Sequence, residues 1–132
     1  MKILVVDDES DIPALFRQKF RQELKQGLLS FHFCFSAEEA LVYLNSVSAA
    51  DVVLILSDIN MPGMNGIELL RRIKEIRPSL SVFMITAYDE SDKQDQARRL
   101  GANEYLTKPI DFLVLRDKLF SGRNTPLRKE VL

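Results

Sequence analysis

Cysteine and histidine are almost missing from this 132-residue chain, with one of each. A single cysteine, Cys34, excludes an internal disulfide, and its place in the apolar run 31–35 reads as a small core residue. The single histidine, His32, has no second His or Cys at a metal-ligand spacing, which excludes a zinc site of the usual kind. Charge of one sign is not in excess either. The formal net charge is −1, so the balance does not call for nucleic acid or an anionic membrane as a partner. No apolar run reaches the length of a membrane span. The opening MKILVVDDES turns acidic too soon for a signal peptide, so the expected location is reducing and cytoplasmic. Repeats and low-complexity segments are absent, and the length suits one domain with a substantial core.

What is present is an alternation of short apolar runs with longer segments of helical period. The first run, KILVV, stops at Asp7-Asp8. A helix is predicted from about residue 11 to Gly27, with Ser10 as its N-cap, Pro13 in its first turn, and Leu15, Phe16, Phe20 and Leu24 at helical spacing. Residues 29–35 read as a second strand, and Ser36 with Glu39 as a capping box for a helix over 37–45. The run 52–56 lacks polar alternation, as expected of a strand covered on both faces. Asn65 is placed to cap a helix over 66–77, which Pro78 ends. A fourth strand follows over 80–86, a mostly polar fourth helix over 91–100, a short fifth strand over 104–106, and a fifth helix opened by Pro109 and running to about residue 120. Five strands alternating with five helices predict an α/β, doubly wound parallel sheet. The predicted domain covers 1–121, and 122–132 is left as a C-terminal stub or the start of a linker.

In such a fold ligands bind beyond the carboxyl ends of the strands. Strand one ends there in Asp7 and Asp8, strand three in Asp58 and strand four in Thr86, while Lys108-Pro109 follows strand five. Taken alone, each residue has an ordinary explanation: Asp8 a loop carboxylate, Thr86 a cap, Lys108 a solvated charge. Together they do not, because like charges about 4 Å apart repel by roughly 4 kcal/mol at an effective dielectric near 20. Asp7, Asp8 and Asp58 need a counter-charge. Lys108 supplies one, and a hard cation such as Mg²⁺, which favours carboxylate and water oxygens, supplies more. Pro62, Gly63 and Gly66 shape the turn after Asp58, which is expected to bring the Asn60 carbonyl back toward a metal held by Asp8 and Asp58.

The stretches VVDDE, SDINMPGMNGIELL, MITAY and GANEYLTKPID resemble the receiver (response-regulator) domain of bacterial two-component signalling, in order and spacing, from Lys2 to about Phe120. The resemblance implies a five-stranded (βα)5 flavodoxin-like fold of strand order 2-1-3-4-5. It implies a signalling phosphoacceptor rather than a metabolic enzyme, with intrinsic phosphotransfer and self-dephosphorylation. Asp58 would accept a phosphoryl group from a phosphohistidine on a sensor histidine kinase or histidine phosphotransfer protein. Asp8, Asp7 (partly through water), Asp58 and the Asn60 carbonyl would hold Mg²⁺. Thr86 and Lys108 would engage the phosphoryl oxygens, Pro109 would follow a cis peptide, and Tyr105 would turn inward with Thr86. The surface of the fourth helix, fifth strand and fifth helix, with Arg98, Arg99, Glu104 and Arg116, would then change toward an output domain, an effector or a second copy. Asn60 and Tyr88 correspond to positions that tune self-dephosphorylation, and Ala87 to a small residue that leaves the phosphate room. Read without the family, Tyr105 is a core aromatic and Pro109 an ordinary trans helix-opener, while Glu9, next to the acidic pair, reads equally as a helper of the metal shell or as an exposed loop residue.

Other function classes fit less well. An aspartyl-nucleophile phosphatase would carry D-x-D after the first strand, and none is there. The phosphate-cradling glycine loops G-x-G-x-x-G and G-x-x-x-x-G-K-[ST] are missing. Arg71, Arg72, Lys74 and Arg77 lie among acids, which reads as a solvated face rather than a DNA-binding one, and no helix-turn-helix follows the fifth helix.

Overall fold

The computed structural model describes residues 1–87 and 90–120. Tyr88 and the stub over 122–132 lie outside the described residues. In chain order the elements are β1 (Lys2–Val6), α1 (Ile12–Lys19), α2 (Arg21–Lys25), β2 (Ser30–Cys34), α3 (Ala37–Leu44), a 3₁₀ turn (Val47–Ala49), β3 (Val52–Asp58), α4 (Gly66–Ile76), β4 (Ser81–Thr86), α5 (Ser91–Arg99), β5 (Glu104–Thr107) and α6 (Phe112–Phe120). The predicted fourth and fifth helices are therefore α5 and α6.

The strands pair in parallel in the order β2-β1-β3-β4-β5, as expected. Successive side chains of a strand point to opposite faces, and each face meets its own helices. Leu4, Val6, Ile55, Val82 and Met84 pack with α3, α4 and α5, through Ala40, Leu69, Ile73 and Ala97. Ile3, Val5, Leu54, Leu56, Phe83 and Ile85 pack with α1 and α6, through Phe16, Phe20, Leu115 and Leu119. Phe16 meets Phe31, Phe33 and Phe112 edge-on, with centroids 5.3–6.1 Å apart, the favourable arrangement for aromatic quadrupoles. Cys34 is buried in the first of these layers, and burial pushes its thiol up to about 12. His32 stacks on Tyr43 at 3.7 Å.

Several local expectations need correction. The helix foreseen from 11 to 27 is interrupted at Phe20, whose φ of −110° and ψ of 26° leave the helical region. Arg116 from α6 lies over the Phe20 ring and donates to the Lys19 carbonyl at 2.6 Å, so a side chain enters the carbonyl ladder at the break. The N-cap of α1 is Asp11, not Ser10, and no side chain caps it, although Pro13 does sit in the first turn. Gly27, at φ +72°, ends α2 as foreseen, with Leu28 N–H bonded to the Glu23 carbonyl across the turn. Ser36 caps α3 by accepting from Glu39 N–H at 3.0 Å, but the Glu39 carboxylate reaches back to Phe35 N–H. Pro109 does not open α6. That helix starts at Phe112, after Asp111 has accepted from Leu113 and Val114 N–H. Val53 is half exposed on β3 although its neighbours are buried.

Arg116 also departs from its expected surface. It pairs with Glu23 at 2.7 Å and so faces α2, while Lys118 pairs with Glu104 at 3.1 Å and is the α6 cation on the β5 side. Of the basic residues on and after α4, Arg71 and Arg72 pair with Glu68 in solvent, as expected. Lys74 and Arg77 instead donate to the Leu80 and Ala49 carbonyls, at 2.7 and 3.0 Å.

Candidate functional site

β1 and β3 lie side by side, with Val6 opposite Ser57, so their last residues emerge together at one rim of the sheet. Oxygens of Asp7, Asp8 and Asp58 lie within 4.8 Å of one another. Asp7 and Asp58 are each only 3% exposed, whereas Asp8 is open to solvent. Asp7 Oδ1 accepts from Glu9 N–H at 3.0 Å, and Asp58 Oδ1 from Asn60 N–H at 3.3 Å. Asp7 Oδ2 is buried without a hydrogen-bond partner. A buried carboxylate oxygen without a hydrogen bond is costly, and Asp7 with Asp8 and Asp58 beside it forms an all-oxygen donor set. That chemistry fits a hard cation such as Mg²⁺.

Lys108 reaches the same point from the loop after β5. Its ammonium donates to Asp58 Oδ2 at 2.8 Å and to Glu9 Oε1 at 3.2 Å, and stands 3.7 Å from Asp7 Oδ2. Burial alone would lower the Lys108 pKa, but the hydrogen bond it donates to Asp58 and the charges of Asp58 and Asp7 outweigh it and raise it. Burial raises the Asp7 carboxyl, against the opposing pull of the Glu9 N–H and Lys108. The Lys108–Pro109 peptide is cis. Glu9, for which the sequence allows either a place beside the metal shell or an exposed loop position, is a third carboxylate on Lys108.

The backbone that carries Asp58 is held closely. Ile59 N–H bonds to the Ile85 carbonyl and Gly66 N–H to the Ile59 carbonyl, at 3.0 and 2.8 Å. A Cβ on Gly66 would stand 2.1 Å from the Asp58 carbonyl oxygen, so only glycine lets α4 start this near the strand. Asn65 caps α4 by accepting from Glu68 N–H at 3.0 Å, and Glu38 of α3 accepts from Met64 N–H at 3.1 Å, which fixes the loop between.

Thr86 is buried at the end of β4. Tyr105 lies opposite Met84, and Thr107 opposite Thr86, so Thr86 and Tyr105 share the face that α5 covers. Tyr105 is partly buried, its hydroxyl oxygen has no hydrogen-bond partner, and the Arg98 guanidinium stands 5.4 Å from its ring centroid. Three residues of the α5 start were not singled out from sequence. Glu90 accepts from the Asn60 side-chain amide, Lys93 donates to Asn60 Oδ1 at 2.6 Å, and Gln94 donates to Thr86 Oγ1 at 3.2 Å. The signal was their i, i+3, i+4 spacing on one helical face, in a segment polar enough to pass for solvated.

Comparison with known proteins decides the family. The model described as "Response regulator receiver domain" matches residues 3–120. The chain belongs to the response regulator receiver domain family. It is 37% identical over 116 residues to Sporulation initiation phosphotransferase F of Bacillus subtilis, covering 88% of each chain. It is 35% identical over 121 residues to Chemotaxis protein CheY-3 of Vibrio cholerae, covering 90% of this chain and 88% of that one. Among solved structures, a response regulator receiver domain protein from Clostridium thermocellum superposes with a TM-score of 0.81 at 27% identity, over 99% of this chain and 98% of that one. A receiver domain of this family is a signalling phosphoacceptor, consistent with phosphorylation-dependent signalling. No described helix is long and apolar enough to cross a membrane.

Proposed function

We propose that this receiver domain takes a phosphoryl group onto Asp58 from a phosphohistidine of a sensor histidine kinase or histidine phosphotransfer protein. The transfer forms the bond between an Asp58 carboxylate oxygen and phosphorus and breaks the bond between phosphorus and the histidine nitrogen. The observation that carries this reading is the Lys108 ammonium 2.8 Å from Asp58 Oδ2, inside the acidic cluster of Asp7, Asp8 and Asp58. An anionic nucleophile meeting an anionic phosphoryl group needs fixed positive charge, and electrostatics with positioning supply most of the catalysis in such transfers. Asp7, Asp8, Asp58 and the Asn60 carbonyl are the candidates to hold Mg²⁺, which when bound neutralises charge on the phosphoryl oxygens. Lys108 pairs with one of those oxygens once Asp58 is phosphorylated. The Thr86 hydroxyl donates to another, Ala87 leaves room for the group, and Tyr105 follows Thr86 inward.

The surface of α5, β5 and α6, with Arg98, Arg99, Glu104 and Lys118, then passes the change to an output domain, an effector or a second copy of the chain. Hydrolysis of the acyl phosphate returns the domain to rest. The setting is the cytoplasm, where such kinases present their phosphohistidine. Intact-mass measurement after phosphoramidate and Mg²⁺ tests the assignment. The wild-type chain should gain one phosphoryl group and Asp58→Asn none. Equal gain by both would remove Asp58 from the role.

A further inference from the structure

Both groups that flank the acceptor are tied to the start of one helix. On β4, Thr86 Oγ1 accepts from Gln94 Nε2 at 3.2 Å. On the turn after β3, the Asn60 amide nitrogen donates to Glu90, and its oxygen accepts from Lys93 Nζ at 2.6 Å. Lys93 and Glu90 close the set with an ion pair of 2.7 Å. Glu90 is the N-cap of α5, and Lys93 and Gln94 follow at i+3 and i+4, so the three share a face.

We propose that this face of α5 is a latch on the acceptor site, in which Gln94 is the positioning residue that orients the Thr86 hydroxyl and carries its displacement into α5. The proposal rests on the reading of Asp58 as phosphoryl acceptor and adds to it how the state of Asp58 reaches the helix. A hydroxyl has one proton to give. Because Thr86 accepts from Gln94, that proton is not spent on Gln94 and is left for a phosphoryl oxygen. The same bond obliges α5 to follow: when Thr86 moves, Gln94 moves with it or the bond breaks. The second tie responds to charge. Lys93 is held by a neutral amide oxygen and one carboxylate, and a phosphoryl group with a charge of about −1.5 to −2 beside Asn60 competes for it. Loading Asp58 therefore loosens one tie while pulling on the other, which gives α5 two discrete positions rather than a continuous drift.

Backbone amide shifts of the full chain, with and without Mg²⁺ and beryllofluoride, test the latch. In the wild type both the turn at residues 58–60 and α5 should shift. Gln94→Leu fills the same space without a donor. Its turn should respond as in the wild type, while the α5 shifts fall by more than half. Gln94→Glu keeps the shape but can only accept, so it draws the Thr86 proton to itself. It should reduce the α5 response and raise the beryllofluoride midpoint several-fold, an effect that loss of packing alone would not produce selectively. If α5 shifts equally in wild type and both variants while the turn responds, the latch is wrong and the acceptor reading stands. If the turn does not respond even in the wild type, the acceptor reading fails and the latch falls with it.

Discussion

Asp7 sits in an unfavourable place for an isolated carboxylate. It is buried beside Asp58, and its Oδ2 has no hydrogen-bond partner. Burial raises its pKa above the ordinary 3.8, and the Glu9 N–H and Lys108 only partly reverse this. The folded chain therefore holds the Asp7 proton more tightly than the unfolded chain. In the window from the ordinary value up to the raised one, the native state binds more protons, so stability falls as pH rises. Above that window the penalty is fully present; below the ordinary value it is gone. Asp7→Asn removes the penalty without leaving Lys108 alone, since Asp58 and Glu9 remain on it. Without divalent cations, the variant should melt at a higher temperature than the wild type at neutral pH, and the difference should close as pH drops below about 4, the unfolded-state range of an aspartate. Melting curves by circular dichroism across pH measure this. A variant less stable at neutral pH would mean that the Asp7 charge is needed to balance Lys108 more than burial penalises it.

At the scale of elements, the start of α4 shows how much the site depends on one close approach. With glycine at 66 the helix begins against the Asp58 carbonyl; an alanine Cβ there would stand 2.1 Å from that oxygen and 2.7 Å from Ile59 Cα. The obstruction is backbone, so the strand end or the helix must shift. Overpacking of this kind costs roughly 1–3 kcal/mol. Gly66→Ala should lower the urea midpoint accordingly and slow phosphoryl uptake, because the displaced backbone is that of the acceptor. A variant with wild-type midpoint and uptake would show that the loop over 59–65 yields without moving Asp58. Gly66 was legible in the sequence because a glycine after an apolar strand marks a turn, and the strand ends were legible because parallel strands covered on both faces read as continuous apolar runs. Other elements hid their contacts. The α6 sequence FLVLRDKLF has apolar residues on most sides, so its helical phase was not fixed, and Arg116 was assigned to the β5 face although it faces Glu23. The polar start of α5 gave no sign of its contacts, because nothing in a polar residue's identity says whether its partner is water or Asn60. The interruption at Phe20 comes from Arg116, which is far away in sequence.

Across the whole molecule, three loops converge on one point: the end of β1 with Asp7, Asp8 and Glu9, the end of β3 with Asp58, and the loop after β5 with Lys108. The two central strands of this rim thus bring more negative charge than the one ammonium balances. A divalent cation held there would tie β1 to β3 and bind only the folded chain, because the unfolded chain does not bring these carboxylates together. Such a ligand stabilises by mass action, about 2.7 kcal/mol at a hundred times its dissociation constant. For a domain of this size that should appear as a rise of several degrees in melting temperature, growing with Mg²⁺ concentration. Asp8 is the exposed member of the three, so it can be removed without opening the core. Asp8→Ala should lose the Mg²⁺-dependent rise, and without Mg²⁺ it should melt no lower than the wild type, since one repelling charge is gone. The variant should therefore melt below the wild type only when Mg²⁺ is present, whereas ordinary destabilisation would lower the melting temperature in both conditions. A Mg²⁺-dependent rise that survives Asp8→Ala undiminished would locate the ion elsewhere on the molecule.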